Sequence, residues 1–280
     1  MIGIDVCSPQ IQRVCRYYGG AIDSIVEKNL EEFIPKLDKV DEDDKVYVMV
    51  DGSFLPTVNK EWKEIKLGRI FSDRNIISIN SKRNEVMKSI YVSHMGGVKE
   101  FFPKLERHLV YYRNKVIIAD GASWIWNWAD DNYPGAIQIL DFYHAKEKLV
   151  LFAKYQFKEQ DERQEWIQSK TMELKDNKVE QVISEIKSTR SKNEHAKEAK
   201  EKLISYYIEH ADRMMYKTYK DNDLLIGSGP IESAHRNVLQ QRMKLSGQKW
   251  SINGAQAMAN LRCYQKSGAW NIIEKIIRAA

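Results

Sequence analysis

Residues 115–144, KVIIADGASWIWNWADDNYPGAIQILDFYH, decide the fold. An apolar run that ends in an acid and is followed by a helical pattern occurs twice in them. Lys115–Asp120 reads as a buried strand closed by Asp-Gly, and Ser123–Ala129 as a short Trp-rich helix. Ala136–Asp141 is a second strand ending in Asp, and Phe142–Phe157 the next helix. A helix between two strands predicts a crossover and parallel neighbours.

Upstream the pattern differs. Lys45–Asp51 (KVYVMVD) is a buried strand expected to end in an Asp-Gly turn. Glu64–Phe71 alternates like a half-buried strand, and Ile76–Ile79 and Ser89–Ser93 are further candidates. Their short connections predict an antiparallel meander. Val98–Tyr112 is helical, with Pro103 expected near its start. The result is an α/β fold whose mixed sheet matches the RNase H-like arrangement, with flanking helices.

Residues 158–220 are charged, helical in pattern and free of Gly and Pro, so an all-helical insertion is expected there. Pro230–Leu245, Ser251–Lys266 and Ala269–Arg278 read as further helices. At the front, Ser8 suits an N-cap, Pro9 a first turn and Gly19-Gly20 a stop. Ile11, Val14, Cys15 and Tyr18 form the apolar face of that helix, and Arg13 and Arg16 lie on another. This is either a plain amphipathic helix or the second helix of a helix-turn-helix facing DNA. Residues 21–37 also look helical, and Asp41–Asp44 reads as an exposed linker. The organisation expected is a helical remnant over 1–44, a catalytic core over 45–157, the insertion over 158–222 and C-terminal helices over 223–280.

The chain has 280 residues, 44 Lys+Arg against 39 Asp+Glu, 43% apolar and 30% charged residues. This excludes collagen-like, disulfide-scaffold and wholly disordered classes. No apolar run reaches the roughly 20 residues of a membrane span, and no signal peptide follows Met1. Cys7, Cys15 and Cys263 match no zinc spacing; they read as packing residues of a protein in a reducing cytoplasm. The net charge of +5 is unevenly spread: residues 233–280 hold eight Lys/Arg against one acid. A basic tail either meets phosphates or is a solvated surface.

Three acids stand at the ends of buried strands: Asp51, Asp120 and Asp141. A carboxylate there is costly unless it pairs or binds a metal. Two-metal phosphoryl transfer needs two or three converging carboxylates, whose hard oxygens select Mg²⁺ or Mn²⁺. Asp-Gly is equally ordinary turn chemistry. Glu232, in the first turn of a helix begun by Pro230, is a third candidate; it also suits the helix dipole and an i,i+4 pair with Arg236. His144 either orients a phosphate or is structural. Arg236, Arg242, Lys244, Lys249, Arg262 and Lys266 surround Trp250, and an exposed Trp can stack on a base. Trp124, Trp126 and Trp128 cannot share one helix face, so some belong to the core.

DGASWIWNWA (120–129), ILDFYHAKEKL (139–149), IGSGPIESAHRNVLQQRMKLSGQKWS (226–251) and ANLRCYQKSG (259–268) together resemble the DDE transposases of bacterial insertion sequences. The resemblance is to the Kra-type branch, related to Mutator-like transposases. It covers roughly residues 45–280, extending more weakly to 8–18. It implies an RNase H-like core interrupted by a helical insertion, and a triad of two Asp and one Glu holding two Mg²⁺ (or Mn²⁺). Carried over, the triad falls on Asp51, Asp120 and Glu232, and Asp141 and His144 match a D-x-x-H element. The implied activity is metal-dependent DNA cleavage and strand transfer. Its partners are element ends, target DNA and further copies of the chain, with no membrane and a cytoplasmic, nucleoid-associated location. Such proteins carry a longer N-terminal DNA-recognition region, so the chain is expected to be truncated at its start. The alternatives are an RNase H-like nuclease without strand transfer and an idle DNA-binding remnant.

Overall fold

The structure, a computed structural model, describes residues 6–28, 30–80 and 83–279. The elements in chain order are α1 (Ser8–Glu27), β1 (Lys45–Pro56), β2 (Trp62–Ser72), β3 (Ile76–Asn80), β4 (Arg83–Val86), β5 (Ile90–Met95), α2 (Val98–Leu109), β6 (Asn114–Ala119), α3 (Ser123–Asn132), β7 (Ile137–Leu140) and α4 (Phe142–Gln156). There follow α5 (Gln160–Lys175), α6 (Val179–Ser188), α7 (Glu194–His210), α8 (Tyr216–Asp221), α9 (Gly229–Ala234), α10 (Gln241–Met243), α11 (Ile252–Lys266) and α12 (Trp270–Ala279). The fold is α/β, with a mixed five-stranded sheet in the order β5-β2-β1-β6-β7. Among the described residues, no helix is long and apolar enough to cross a membrane. The chain divides into two compact units, one of residues 1–115 and 229–280 and one of residues 116–228.

In the first unit β1, β2 and β5 form the antiparallel meander, with Val48 opposite Ile70 and Gly68 opposite Val92. β1 does not end at Asp51. It runs on to Pro56, with Asp51 opposite Leu67 and Gly52 opposite Lys66. What ends at Val50 is the burial, because Asp51 to Phe54 are half-buried or exposed. The apolar run marked the buried part of a longer strand.

β2 is not half-buried either: Ile65 to Ser72 are all buried. Its polar positions are enclosed because they have partners. Lys66 donates to Glu64 Oε2 at 2.7 Å and to the Gly96 carbonyl at 2.9 Å. Arg69 donates to Ser89 Oγ at 2.9 Å and to the Pro230 carbonyl at 2.6 Å. β3 and β4 form a hairpin where a single strand, Ile76–Ile79, is expected. Pro103 sits inside α2 rather than near its start.

α1 continues through Gly19-Gly20 to Glu27, and its buried face is not the expected one. Ile11 and Val14 are exposed, while Gly19 and Ile22 are buried. The pair does not stop the helix because Gly19 is needed for packing: a Cβ there would lie 2.2 Å from the Ala257 carbonyl oxygen of α11. Ile22 then joins Tyr264, Ile272, Ile273 and Ile276 in a small core with α11 and α12. Of the remainder of 21–37, only a short turn at Glu31–Phe33 is helical.

In the second unit β6 and β7 are parallel, with Val116 opposite Ile137 and Ala119 opposite Leu140. α5 to α8 occupy the stretch read as a helical insertion. α4 packs on α7, where the Tyr207 hydroxyl donates to the Ala145 carbonyl at 2.8 Å. Trp126 and Trp128 are core residues and Trp124 is half-buried.

The two glycines of α1 predict opposite outcomes. Gly19→Ala drives a methyl into backbone and should lower stability by about 1–3 kcal/mol. Gly20→Ala meets nothing within 4 Å and should raise stability by about 0.5–1 kcal/mol. Urea denaturation of the two variants checks both; equal effects would contradict the packing described.

Candidate functional sites

Asp120 directly follows β6, whose residues Val116 to Ala119 are buried. Its Oδ1 accepts from the Ala122 N–H at 3.0 Å, and its carbonyl accepts from Trp126 Nε1 at 2.7 Å. Gly121 does not take a left-handed φ. It is glycine because Tyr206 of α7 lies against it: a Cβ would stand 2.0 Å from the ring. His210, one turn on, packs edge-on to Tyr206 at 4.9 Å between centroids. Burial lowers the His210 pKa, and neither ring nitrogen has a hydrogen-bond partner. Burial, then the charge of Asp120, raises the Tyr206 pKa. These two α7 residues were missed, because nothing in a charged helical stretch marks which turn meets the strand end.

Asp141 is fully buried at the start of α4. Its Oδ1 caps the helix, accepting from the His144 N–H at 2.7 Å, and its Oδ2 accepts from the Ser228 N–H. Burial works to raise its pKa, but the His144 side chain, followed by these two N–H donors, outweighs burial and holds it below the ordinary carboxylate value. His144 Nδ1 lies 3.2 Å from Asp141 Oδ1, an ion-pair contact without good hydrogen-bond angles. Pairing with Asp141 raises the His144 pKa to about 9 against burial, helped by the charges of Glu147 and Asp120. His144 is therefore an imidazolium at neutral pH, partly open to solvent and in the field of Asp120.

In the first unit Asp51 is half-buried and its Oδ1 accepts from the Gly52 N–H at 2.7 Å. Its Oδ2 lies 3.2 Å from Nε2 of the buried His235. Lys244 is near enough for the charge of Asp51 to act on it, although partial burial dominates and lowers the Lys244 pKa. Glu232 is exposed in the first turn of α9. Its expected ion pair with Arg236 does not form among the described contacts. The chain opens into a π-helical segment at His235–Gln240. Arg262 satisfies this widened turn, donating to the Val238 carbonyl at 2.9 Å and to the Asn237 carbonyl. No propensity scale signals such a turn, so His235 also went unread.

The residues expected to meet DNA separate. Arg16, Arg242, Lys249 and Trp250 line one pocket of about 510 Å³. Arg13 and Arg236 are exposed and are not among its lining residues. Trp250 is not freely exposed: its Nε1 donates to the Met243 carbonyl at 2.9 Å and its backbone pairs beside Thr57. Of the cysteines, only Cys263 is a core residue; Cys15 is half-buried and Cys7 exposed.

The donors suit hard cations. Asp51 and Asp120 each accept one described hydrogen bond from a nearby backbone N–H, leaving carboxylate lone pairs for an ion. Among the described residues, no three His, Cys, Asp or Glu side chains form a group placed to hold a metal. No protein-family profile matches the chain, and no curated protein matches its sequence.

His144 gives a signed pH prediction. Folded His144 keeps its proton to about pH 9, against the ordinary 6.5 of an unfolded chain. The stability it contributes is complete below about pH 6.5 and is lost as pH rises through about 9. The stability gap between the wild type and His144→Gln should close over that range. NMR titration of the imidazole should show Asp141→Asn returning His144 toward 6.5; an unchanged titration would remove Asp141 as the cause.

Proposed function

We propose that this chain is the catalytic part of a metal-dependent DNA transposase with an RNase H-like core, whose acids are Asp51, Asp120 and Glu232. The observation that carries the reading is the position of Asp120. It stands directly after a buried parallel strand, shows a single turn hydrogen bond to its carboxylate, and has an imidazolium, His144, nearby. Strand ends of such sheets are where ligands bind. The motif resemblance and the basic pocket of the first unit support DNA as the substrate.

The roles follow from local chemistry. Asp51 and Asp120 supply carboxylate oxygens and Glu232 an exposed third. Divalent ions held there would lower the charge on the phosphodiester and activate the attacking oxygen. His144 offers a positive N–H donor to a phosphate oxygen, and Asp141 keeps it charged. Lys244 offsets part of the charge of Asp51, and His235 lies beside it.

The test is incubation with DNA that flanks the gene, with and without Mg²⁺. The expected products are strands with a new 3′-OH and, later, joined products. Asp120→Asn, Asp51→Asn and Glu232→Gln should each slow cleavage by about a thousandfold or more, the loss of several kcal/mol of charge stabilisation. Cleavage without any joined product selects the nuclease reading. Full activity in Asp120→Asn would overturn the assignment.

A further inference from the structure

The pocket beside Trp250 has features that surface binding to duplex DNA does not require. Three cations line it, Arg16, Arg242 and Lys249, and among the described residues no acidic one does. The first residues of two long helices also border it: Ser8 and Pro9 of α1, and Ser251 and Gly254 at the start of α11. Neither helix has an acid in its first turn, so both present a positive end. The remaining wall is apolar, made by Ile11, Val58, Met258 and the Trp250 ring. Anion chemistry and a flat apolar wall therefore share one cavity.

The wall is rigid. Trp250 N–H donates to the Pro56 carbonyl at 3.0 Å, and Val58 N–H donates to the Trp250 carbonyl at 3.0 Å. Its indole N–H is fixed on the Met243 carbonyl. The Arg242 guanidinium stands 5.8 Å from the ring centroid, and Arg16 reaches Ser251 Oγ at 3.4 Å. A site whose aromatic ring is already placed loses less entropy on binding.

We propose that this pocket holds one unpaired nucleotide of a DNA strand. The phosphate meets Arg16, Arg242 and Lys249, and the base lies on the apolar wall with Trp250. A cavity of about 510 Å³ has the size of a small-ligand site and excludes a duplex, which can only cross its mouth. The chemistry separates a nucleotide from inorganic phosphate, which would leave the apolar wall uncovered, and from an apolar ligand, which would leave three cations unused. The inference rests on the reading that this protein acts on DNA, and it adds a preference for single-stranded ends.

The experiment is fluorescence anisotropy without divalent metal, on the Asp120→Asn protein so that no strand is cut. A blunt duplex is compared with the same duplex carrying a short single-stranded overhang, with free deoxynucleoside monophosphate as competitor. The overhang should bind about tenfold tighter, the scale of one stacked base. Arg16→Ala with Arg242→Ala should abolish that difference and reduce the salt slope by about 2. Ile11→Glu should also abolish it; Ile11 is 49% exposed, so the change adds a charge at the rim without opening the core. Equal binding of both DNAs, or a preference that survives both sets of substitutions, overturns the proposal. Competition by the free nucleotide at the overhang's own affinity also overturns it, by assigning the pocket to small nucleotides. The outcome is separable from the catalytic reading. Overhang preference without metal-dependent cleavage keeps the pocket and removes the transposase; cleavage without preference does the reverse.

Discussion

The segment Ile226–Pro230 is gripped by two buried charges, and the candidate chemistry depends on that grip. Within the second unit, the fully buried Asp141 takes the Ser228 N–H, and the Phe142 N–H binds the Ile226 carbonyl at 2.9 Å. Within the first unit, the buried Arg69 takes the Pro230 carbonyl. A buried charge is tolerated only where hydrogen bonds replace its water. Besides its side-chain partner, each ion here binds backbone, so each also fixes the path of the chain. Gly227 allows the path, since a Cβ would stand 2.7 Å from the Tyr143 ring. The next helix, α9, carries Glu232. Loss of either ion would leave buried backbone groups unsatisfied at the start of that helix, which costs more than the bond itself was worth.

The same two ions show what could be read from the sequence and what could not. Strand–helix alternation over 115–157 was legible because burial on both faces writes a continuous apolar run, and Asp120 and Asp141 fell at its ends. Asp51 is the contrasting case. The apolar run stopped at Val50, while hydrogen bonding carried β1 six residues further, to Pro56, past a Leu55 that is buried again. Lys66 and Arg69 gave β2 an alternating pattern that imitates a solvated face. Only the partners Glu64, Gly96, Ser89 and Pro230 reveal those positions as buried, and they are distant in sequence. Gly19-Gly20 failed as a stop signal because a glycine required by a helix–helix contact is identical in sequence to a helix terminator. Tyr206, His210 and His235 were illegible for a related reason: each gains its setting from an element elsewhere in the chain.

Net charge behaves in the same way. The basic tail looked like one DNA-binding surface, but its cations have different duties. Arg262 is spent on the carbonyls of the π-helical segment, and partial burial lowers its pKa. Lys244 lies in the field of Asp51. Arg242 and Lys249 line the pocket with Arg16, which comes from the opposite end of the chain. A sum over sequence counts all of these equally; only burial and partners separate structural cations from those available to a ligand.

The π-helical segment links these observations. The segment begins at His235, beside Arg236, whose expected pairing with Glu232 does not form among the described contacts. It leaves carbonyls whose usual i+4 partners have shifted, and Arg262 supplies replacements from α11. α11 is in turn the helix on which Gly19 of α1 packs, and its first turn borders the basic pocket. Asp51's neighbour, the altered turn, the cation that completes it and the pocket's positive helix end therefore share one helical framework within the first unit. Arg262, 30 positions beyond Glu232, thus holds the carbonyls of the turn that continues the Glu232 helix.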